Sequence, residues 1–283
     1  MTWQQLLDEG IHQLQEAGVA DARLDAWYLM EDVFGLDMPR FLLCRNEAAE
    51  LTNDGREAAY HAALTRRSRG EPLQYITGKA DFMGYTFEVG PEVLIPRQDT
   101  ETLCETALER LKRRNGHVRV LDLCTGSGCI LISIVLLGRE VSGIGADISE
   151  EALKVAGGNA QRLCPGRAGF VCSDMFADIE GRFDMIVSNP PYIRSADIPG
   201  LMREVAGHEP VSALDGGEDG LAFYRILARQ AGEYLVPGGD LIMEIGFDQA
   251  SDVSGLLEEA GWSGICVIKD LPGHDRVVCA QKA

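Results

Sequence analysis

Residues 118–128 read VRVLDLCTGSG, and this stretch decides the fold class of the chain. Its first half, residues 118–122, has the β-branched and apolar residues Val118, Val120 and Leu121 typical of a strand, and an apolar run of helical length follows the glycines. Gly126 and Gly128 lie between the two, where the missing Cβ atoms allow a tight turn and a close approach of a ligand. This order predicts one unit of an open α/β sheet, although such a turn also occurs as an ordinary strand-to-helix connection.

Six more apolar segments downstream continue the alternation of strands and helices, which predicts a doubly wound, mostly parallel sheet. Only residues 270–276 separate the last two segments, too few for a crossover helix, so the final strand is predicted to be antiparallel to its neighbour. The seven predicted strands are residues 118–122, 142–147, 168–172, 183–188, 240–245, 265–269 and 277–281.

The chain before this sheet has two other patterns. Apolar residues recur at helical spacing through residues 1–72, which predicts a small helical bundle that forms a separate domain. Residues 73–95 contain short β-type segments broken by glycine, at 73–77, 82–89 and 93–95, and indicate a β-hairpin linker. Residues 96–283 are then the predicted α/β domain.

Composition and charge narrow the class of protein. The 283 residues carry a formal net charge of −18, so the averaged surface field repels phosphate backbones and makes nucleic acid a poor default partner. The eight cysteines form no Cys-x-x-Cys pair and have no histidine at zinc-ligand spacing, so we expect reduced thiols and no metal site. The sequence has no secretory signal and no apolar run long enough for a membrane span, which favours the cytoplasm.

An acidic residue ends the second predicted strand and another comes just after the third, where a nucleoside would lie. Asp147 can accept both ribose hydroxyls, or it can cap the following helix. Asp174 can take an adenine amino group with Met175 as an apolar wall, or it can be a helix cap. A dinucleotide site would need a small residue at Leu131, whereas S-adenosylmethionine has no pyrophosphate and needs none. The candidate cofactor-binding residues are Asp122, Cys124, Thr125, Gly126, Ser127, Gly128, Asp147, Asp174, Met175 and Asn189.

The tetrapeptide Asn189-Pro190-Pro191-Tyr192 follows the fourth strand and is the candidate catalytic motif. Two prolines fix the backbone and remove two N–H donors, so the loop presents hydrogen-bond acceptors. A planar NH₂ group can donate to the Asn189 side chain and the Pro190 carbonyl while Tyr192 covers its flat face. This arrangement predicts methyl transfer to a planar amide or exocyclic amine.

The chain resembles the release factor glutamine methyltransferases over nearly its whole length. The matching segments are residues 70–78, 82–89, 94–97, 122–128, 189–192 and 209–225. The resemblance implies a seven-stranded class I methyltransferase sheet, S-adenosylmethionine as cofactor, and methylation of the Gly-Gly-Gln glutamine of class I peptide chain release factors. It also implies that the helical domain helps to hold the release factor, while the glycine turn and Asp147 hold the cofactor.

Three features depart from the family pattern, and two other functions stay open at this point. Cys124 stands where the family usually has glycine, Gln98-Asp99 replaces Pro-Glu, and Met175 replaces an aromatic residue. Because Asn-Pro-Pro-Tyr also occurs in DNA adenine and RNA guanine methyltransferases, N-methylation of a nucleic-acid base is one alternative. A cofactor-binding scaffold without turnover is the other. Arg97, Asp99, Glu101 and Glu209 either shape the cleft or form surface ion pairs.

Overall fold

The structure is a computed structural model that describes residues 1–49 and 55–282. It separates into two compact units. The first unit comprises Met1–Gly78 and Met202–His208, and the second comprises Lys79–Leu201 and Glu209–Ala283. The chain therefore leaves the second unit once, after Leu201, and returns to it at Glu209.

The first unit is helical, as the spacing of apolar residues predicts. Thr2 caps its first helix, since its side chain accepts from the backbone N–H of Gln5 while the Gln5 side chain accepts from the N–H of Thr2. The core contains fully buried Leu6, Met30 and Tyr60. The helices of this unit are α1 (Trp3–Glu16), α2 (Ala22–Phe34), α3 (Met38–Cys44), α4 (Arg56–Ser68), α5 (Leu73–Thr77) and, from the later segment, α9 (Arg203–His208).

A buried ion pair joins three helices inside this unit. Arg67 of α4 is 5% exposed, and its guanidinium lies 2.6 Å from Asp25 of α2 and 2.6 Å from Glu204 of α9. A buried charge is stable only when it is paired, so these carboxylates compensate the burial of the guanidinium. The pair holds α9 within the helical unit.

The prediction of a strand at residues 73–77 is wrong, because these residues form helix α5. Pro72 precedes the helix with φ −57°, a value suited to helix entry, and Gly78 ends it in the left-handed conformation at φ 73°. These two end signals, together with the burial of Tyr75, outweigh the β-type composition of the segment.

The second unit begins with the predicted hairpin, but its strands are placed differently. Strands β1 (Lys79–Phe82) and β2 (Tyr85–Glu88) pair antiparallel around a turn at Met83 and Gly84, so residues 82–89 do not form one strand. The prediction of a strand at 93–95 is also wrong. Val93 and Ile95 are buried there without being part of a strand.

The large sheet confirms the predicted seven strands and the antiparallel final strand. The strand order is β5-β4-β3-β6-β7-β9-β8, with the first five parallel and β9 antiparallel to both of its neighbours. The elements are α6 (Glu101–Leu111), β3 (Val118–Leu123), α7 (Cys129–Leu137), β4 (Val141–Asp147), α8 (Glu150–Leu163), β5 (Ala168–Cys172), β6 (Phe183–Ser188), α10 (Ala222–Tyr234), β7 (Leu235–Glu244), α11 (Ala250–Glu259), β8 (Ser263–Lys269) and β9 (Asp275–Gln281).

Alternate residues of the central strands enter two separate cores. Val120 of β3 packs in one cluster with α6 and α7, whereas its neighbour Leu121 packs in the other with α10 and α11. This alternation is what a sheet covered by helices on both faces requires. Strands β3, β4, β6 and β7 consequently end at one edge, where the candidate site residues lie.

Replacing Gly10 with alanine is expected to destabilise the helical unit. A Cβ atom at Gly10 would lie 2.3 Å from the hydroxyl oxygen of buried Tyr60. We expect Gly10→Ala to lower the free energy of unfolding by about 1–3 kcal/mol, because overpacking outweighs the gain in helix propensity. Thermal unfolding followed by circular dichroism measures this change.

Gly158→Ala is the matched control, because Gly158 lies in α8 and, among the described residues outside its own helical turn, none comes within 4 Å of an added Cβ. That substitution should raise the free energy of unfolding by about 0.5–1 kcal/mol through helix propensity. Equal stabilisation by both substitutions would contradict the close approach of α1 and α4.

Candidate active site

The turn between β3 and α7 forms the floor of a cavity of about 300 Å³. Gly126 and Gly128 both adopt positive φ, at 53° and 79°. A Cβ atom at Gly128 would lie 3.0 Å from Ile132 Cδ1 and 3.2 Å from Ala156 Cβ, so glycine lets α7 and α8 pack closely here. The sequence prediction of a tight glycine turn is confirmed by this geometry.

Cys124 and Met175 are both strained and face each other. They have φ values of 59° and 52°, in the left-handed region that non-glycine residues rarely adopt. Their sulfur atoms are 3.9 Å apart, and both residues line the cavity. Two of the departures from the family pattern, Cys124 and Met175, therefore meet at one place, where their sulfur atoms form part of the cavity wall.

Asp147, the last residue of β4, is fixed by backbone groups. Its Oδ2 accepts from the N–H of Gly126 at 2.9 Å, and its Oδ1 accepts from the N–H of Ser149 at 3.0 Å. Ser149 caps α8 by accepting from the N–H of Ala152, so the cap is Ser149, and Asp147 lies two residues earlier and lines the cavity. A carboxylate oxygen has lone pairs to spare, so Asp147 can still accept from a ligand.

Asp122 of β3 stabilises the glycine turn through a hydrogen bond with Thr125. It is fully buried, and burial raises its pKa to about 7. The Thr125 hydroxyl donates to Asp122 Oδ2 at 2.6 Å, whereas Oδ1 has no hydrogen-bond partner in the part of the chain that the structure describes. Asp122 and Gly128 are not among the residues that line the cavity, so they shape the turn rather than form its surface.

The remaining predicted cofactor residues surround the same space. Asp174 is exposed and Met175 is 6% exposed, directly after β5. Cavity-lining residues from the prediction are Cys124, Thr125, Gly126, Ser127, Asp147, Asp174, Met175 and Asn189.

The Asn-Pro-Pro-Tyr loop leaves β6 at the rim of this cavity. Asn189 and Pro191 line the cavity, while Pro190 is buried. The Asn189 Nδ2 donates to the Thr100 hydroxyl at 3.4 Å, and the Tyr192 hydroxyl donates to Glu244 Oε1 at 3.4 Å. The two ends of the loop therefore have different hydrogen-bond partners, Thr100 for Asn189 and Glu244 for Tyr192.

Several residues around this loop were not among the predicted site residues. Gln249 donates to the Tyr192 carbonyl at 3.0 Å and to the Gly220 carbonyl at 3.2 Å. Glu244, at the end of β7, and Thr100, before α6, are both 2% exposed. One feature of the sequence could have identified Glu244. It is the single carboxylate in an otherwise apolar segment, LIMEIG at residues 241–246.

For Arg97 and Glu209, the sequence left two interpretations, residues that shape the cleft or a surface ion pair. The two form an ion pair, with Arg97 Nη2 2.5 Å from Glu209 Oε1. The Glu209 side chain is 1% exposed, whereas the Arg97 side chain is 41% exposed and lines the cavity, so the pair lies at the cleft with its carboxylate buried. Asp99 lies 3.3 Å from Arg276, and Glu101 accepts from the N–H of Met83 at 2.6 Å. All four residues therefore have structural partners near the cleft.

Comparisons with known proteins agree with this geometry. The families described as PrmC N-terminal domain and Methyltransferase domain match residues 5–78 and 114–245. A release factor glutamine methyltransferase of Agrobacterium fabrum is 43% identical over 274 residues, covering 95% of this chain and 94% of that protein. One from Koribacter versatilis is 42% identical over 284 residues, covering 100% and 99%.

A solved structure supports the fold. The T. thermophilus 16S rRNA methyltransferase in complex with AdoMet and guanosine has a TM-score of 0.51 and 23% identity, covering 72% of this chain and 50% of that chain. In residues 1–49 and 55–282, every helix is too short or too polar to cross a lipid bilayer.

The sheet order, the glycine turn and the methyltransferase match define a class I methyltransferase that uses S-adenosylmethionine. The sequence identity to curated relatives, which extends over nearly the whole chain, identifies the family more specifically than the fold does. The chain belongs to the release factor glutamine methyltransferase family.

Cys124→Gly is expected to be more stable than Cys124→Ala. Both substitutions remove the sulfur, but only glycine adopts a φ of 59° without strain. We expect a difference in the free energy of unfolding of about 1 kcal/mol in favour of glycine. Chemical denaturation of the two variants measures it, and equal stabilities would show that the backbone at this position is not strained.

Proposed function

We propose that this chain transfers a methyl group from S-adenosylmethionine to the side-chain amide nitrogen of the glutamine in the Gly-Gly-Gln motif of class I peptide chain release factors. One observation carries the proposal: Asn189 stands on the wall of the glycine-turn cavity in a chain 43% identical to a release factor glutamine methyltransferase. The partner is then a protein, the release factor, and the reaction takes place in the cytoplasm.

The residues around the cavity fit the proposed cofactor. The unshared lone pairs of Asp147 would accept the ribose hydroxyls, Asp174 would accept from the adenine amino group, and Met175 would supply an apolar wall. The glycine turn lets the amino-acid end approach the backbone of Cys124 and Gly126. When bound, S-adenosylmethionine supplies a methyl group on a positively charged sulfur.

The Asn-Pro-Pro-Tyr loop would hold the substrate amide. An amide nitrogen is a weak nucleophile because its lone pair is delocalised, so the residues that orient it contribute most to the rate. Orientation of this kind can be worth about 7–11 kcal/mol. The Asn189 Oδ1 and the Pro190 carbonyl would accept the two amide protons, with Tyr192 against the flat face.

Asp147→Asn is expected to weaken cofactor binding. Both carboxylate oxygens accept backbone N–H bonds, so an asparagine must place its NH₂ group against one of those donors. We expect the dissociation constant of S-adenosylmethionine to rise about tenfold or more, measured by calorimetry. Asp252→Asn, on the first turn of α11, is the control and should leave it unchanged. Unchanged binding in Asp147→Asn would contradict the assignment.

Asn189→Ala is expected to abolish most methyl transfer to a release factor. Loss of a preoriented hydrogen-bond partner typically lowers kcat about 10²- to 10³-fold. The measurement is transfer of labelled methyl from S-adenosylmethionine to a purified release factor. Asn115→Ala, at an exposed position outside the site, is the matched control and should transfer at the normal rate.

The same assay separates the proposed substrate from the alternative. A release factor whose Gly-Gly-Gln glutamine is replaced should accept no label from the unmodified enzyme. Label that persists on that protein, or that is found only on added nucleic acid, would overturn the proposed function.

A further inference from the structure

Two cysteines face each other across the last two strands of the large sheet. Cys266 of β8 and Cys279 of β9 are direct partners in the antiparallel register, and the register stays regular from there to Ile268. Opposite residues of an antiparallel pair have Cα atoms roughly 4.5–5.5 Å apart. That range lies within the separation of about 4.4–6.8 Å that a disulfide bond spans. Both residues are free thiols in the structure.

The side chains of the two cysteines lie on the same face of the sheet. Arg110 of α6 donates from Nη2 to Cys266 Sγ at 3.2 Å, so the Cys266 side chain is directed toward α6. Cys279 is buried in the core cluster that contains Leu103 and Ala107 of α6, and Cys266 packs against that cluster. The register and the shared face therefore place the two thiols side by side, as a disulfide bond requires.

The two thiols differ in exposure and in reactivity. Cys266 is partly buried on β8, the edge strand of the sheet, whereas Cys279 is 0% exposed. Burial raises the pKa of the Cys279 thiol to about 12; Arg110 opposes this rise, and Cys266 adds to it. Cys279 is thus a neutral thiol, whereas a thiolate is the form that attacks an oxidant. The Arg110 guanidinium gives Cys266 a cationic donor, which favours that form, so Cys266 reacts first.

We propose that Cys266 and Cys279 are a redox-sensitive pair, in which hydrogen peroxide oxidises Cys266 and Cys279 then closes a disulfide bond that fixes β8 to β9. The Cys266 sulfur attacks one peroxide oxygen, the O–O bond breaks, and a sulfenic acid and one water are formed. The Cys279 thiol attacks the sulfenic sulfur, and its proton leaves with the hydroxyl as a second water. The peroxide takes up the two electrons that the thiols lose.

The place of β8 in the sheet gives this bond a physical effect. β8 is the last strand in the sheet order and has β9 as its neighbour, so it opens at lower cost than the central strands. A covalent bond to β9 removes those open states. The described residues that line the cofactor cavity include none from β8 or β9. The proposed pair is therefore separate from the cofactor site.

Peptide mapping tests the proposal directly. Trypsin places the two cysteines in separate peptides, residues 230–269 and 277–282. The full-length protein is treated with hydrogen peroxide, its remaining thiols are blocked under denaturing conditions, and it is digested without reductant. The two peptides should be recovered joined, with the mass expected for loss of both thiol hydrogens, and dithiothreitol should separate them.

Single substitutions separate the roles of the two cysteines. In Cys279→Ala the sulfenic acid on Cys266 has no partner, so dimedone should trap it. In Cys266→Ser the buried Cys279 should stay reduced. Cys172→Ser is the matched control, because Cys172 is an exposed free thiol on β5, at the opposite edge of the sheet. The joined peptides should form in that variant as they do in the unmodified protein.

The closed pair should also unfold at a higher temperature. A disulfide bond restricts the unfolded chain, so the midpoint of thermal unfolding of the oxidised protein should fall by about 5 °C when dithiothreitol is added. Cys266→Ser should show no such shift.

Three results would overturn the proposal: Cys266 recovered only as sulfinic or sulfonic acid, Cys266 joined to a different cysteine, or a cross-link whose reduction leaves the midpoint unchanged. These measurements use neither S-adenosylmethionine nor a release factor. Their outcome is therefore independent of the proposed function.

Discussion

The hydrogen bond from the N–H of Gly126 to the carboxylate of Asp147 is the interaction on which the site depends. It joins the turn after β3 to the end of β4, so two neighbouring strands close the floor of one cavity. The bond is made with Gly126 at a φ of 53° and with a carboxylate at the last position of β4. Once it is in place, β6 brings Asn189 to the opposite rim of the same cavity.

The acidic residues at this edge of the sheet differ in burial, and their roles differ accordingly. Asp147 and Asp174 line the cavity and remain able to contact a ligand. Asp122 and Glu244 lie below it, where burial raises the pKa of each to about 7. One pair therefore presents acceptors to small molecules, and the other holds the glycine turn and the Asn-Pro-Pro-Tyr loop in shape.

Much of this arrangement could be predicted from the sequence, because apolar strands, glycine turns and the residues that follow strands are local signals. The strand predicted at 73–77 failed because the flanking Pro72 and Gly78 set the backbone more strongly than composition did. The predicted start of β7 at residue 240 was late because the strand already pairs with β6 at Leu235, before an irregularity that contains Pro237 and Gly238. Thr100 was missed because only the folded chain brings it to Asn189.

The central claim is that a glutamine amide is held by Asn189 at the cofactor cavity. A crystal structure of the enzyme with S-adenosylhomocysteine and a release factor tests it most directly. The account predicts the glutamine side-chain nitrogen within hydrogen-bonding distance of Asn189 Oδ1, with Asn189 Nδ2 turned to Thr100. A glutamine bound away from Asn189, or an Asn189 amide turned the other way, would contradict it.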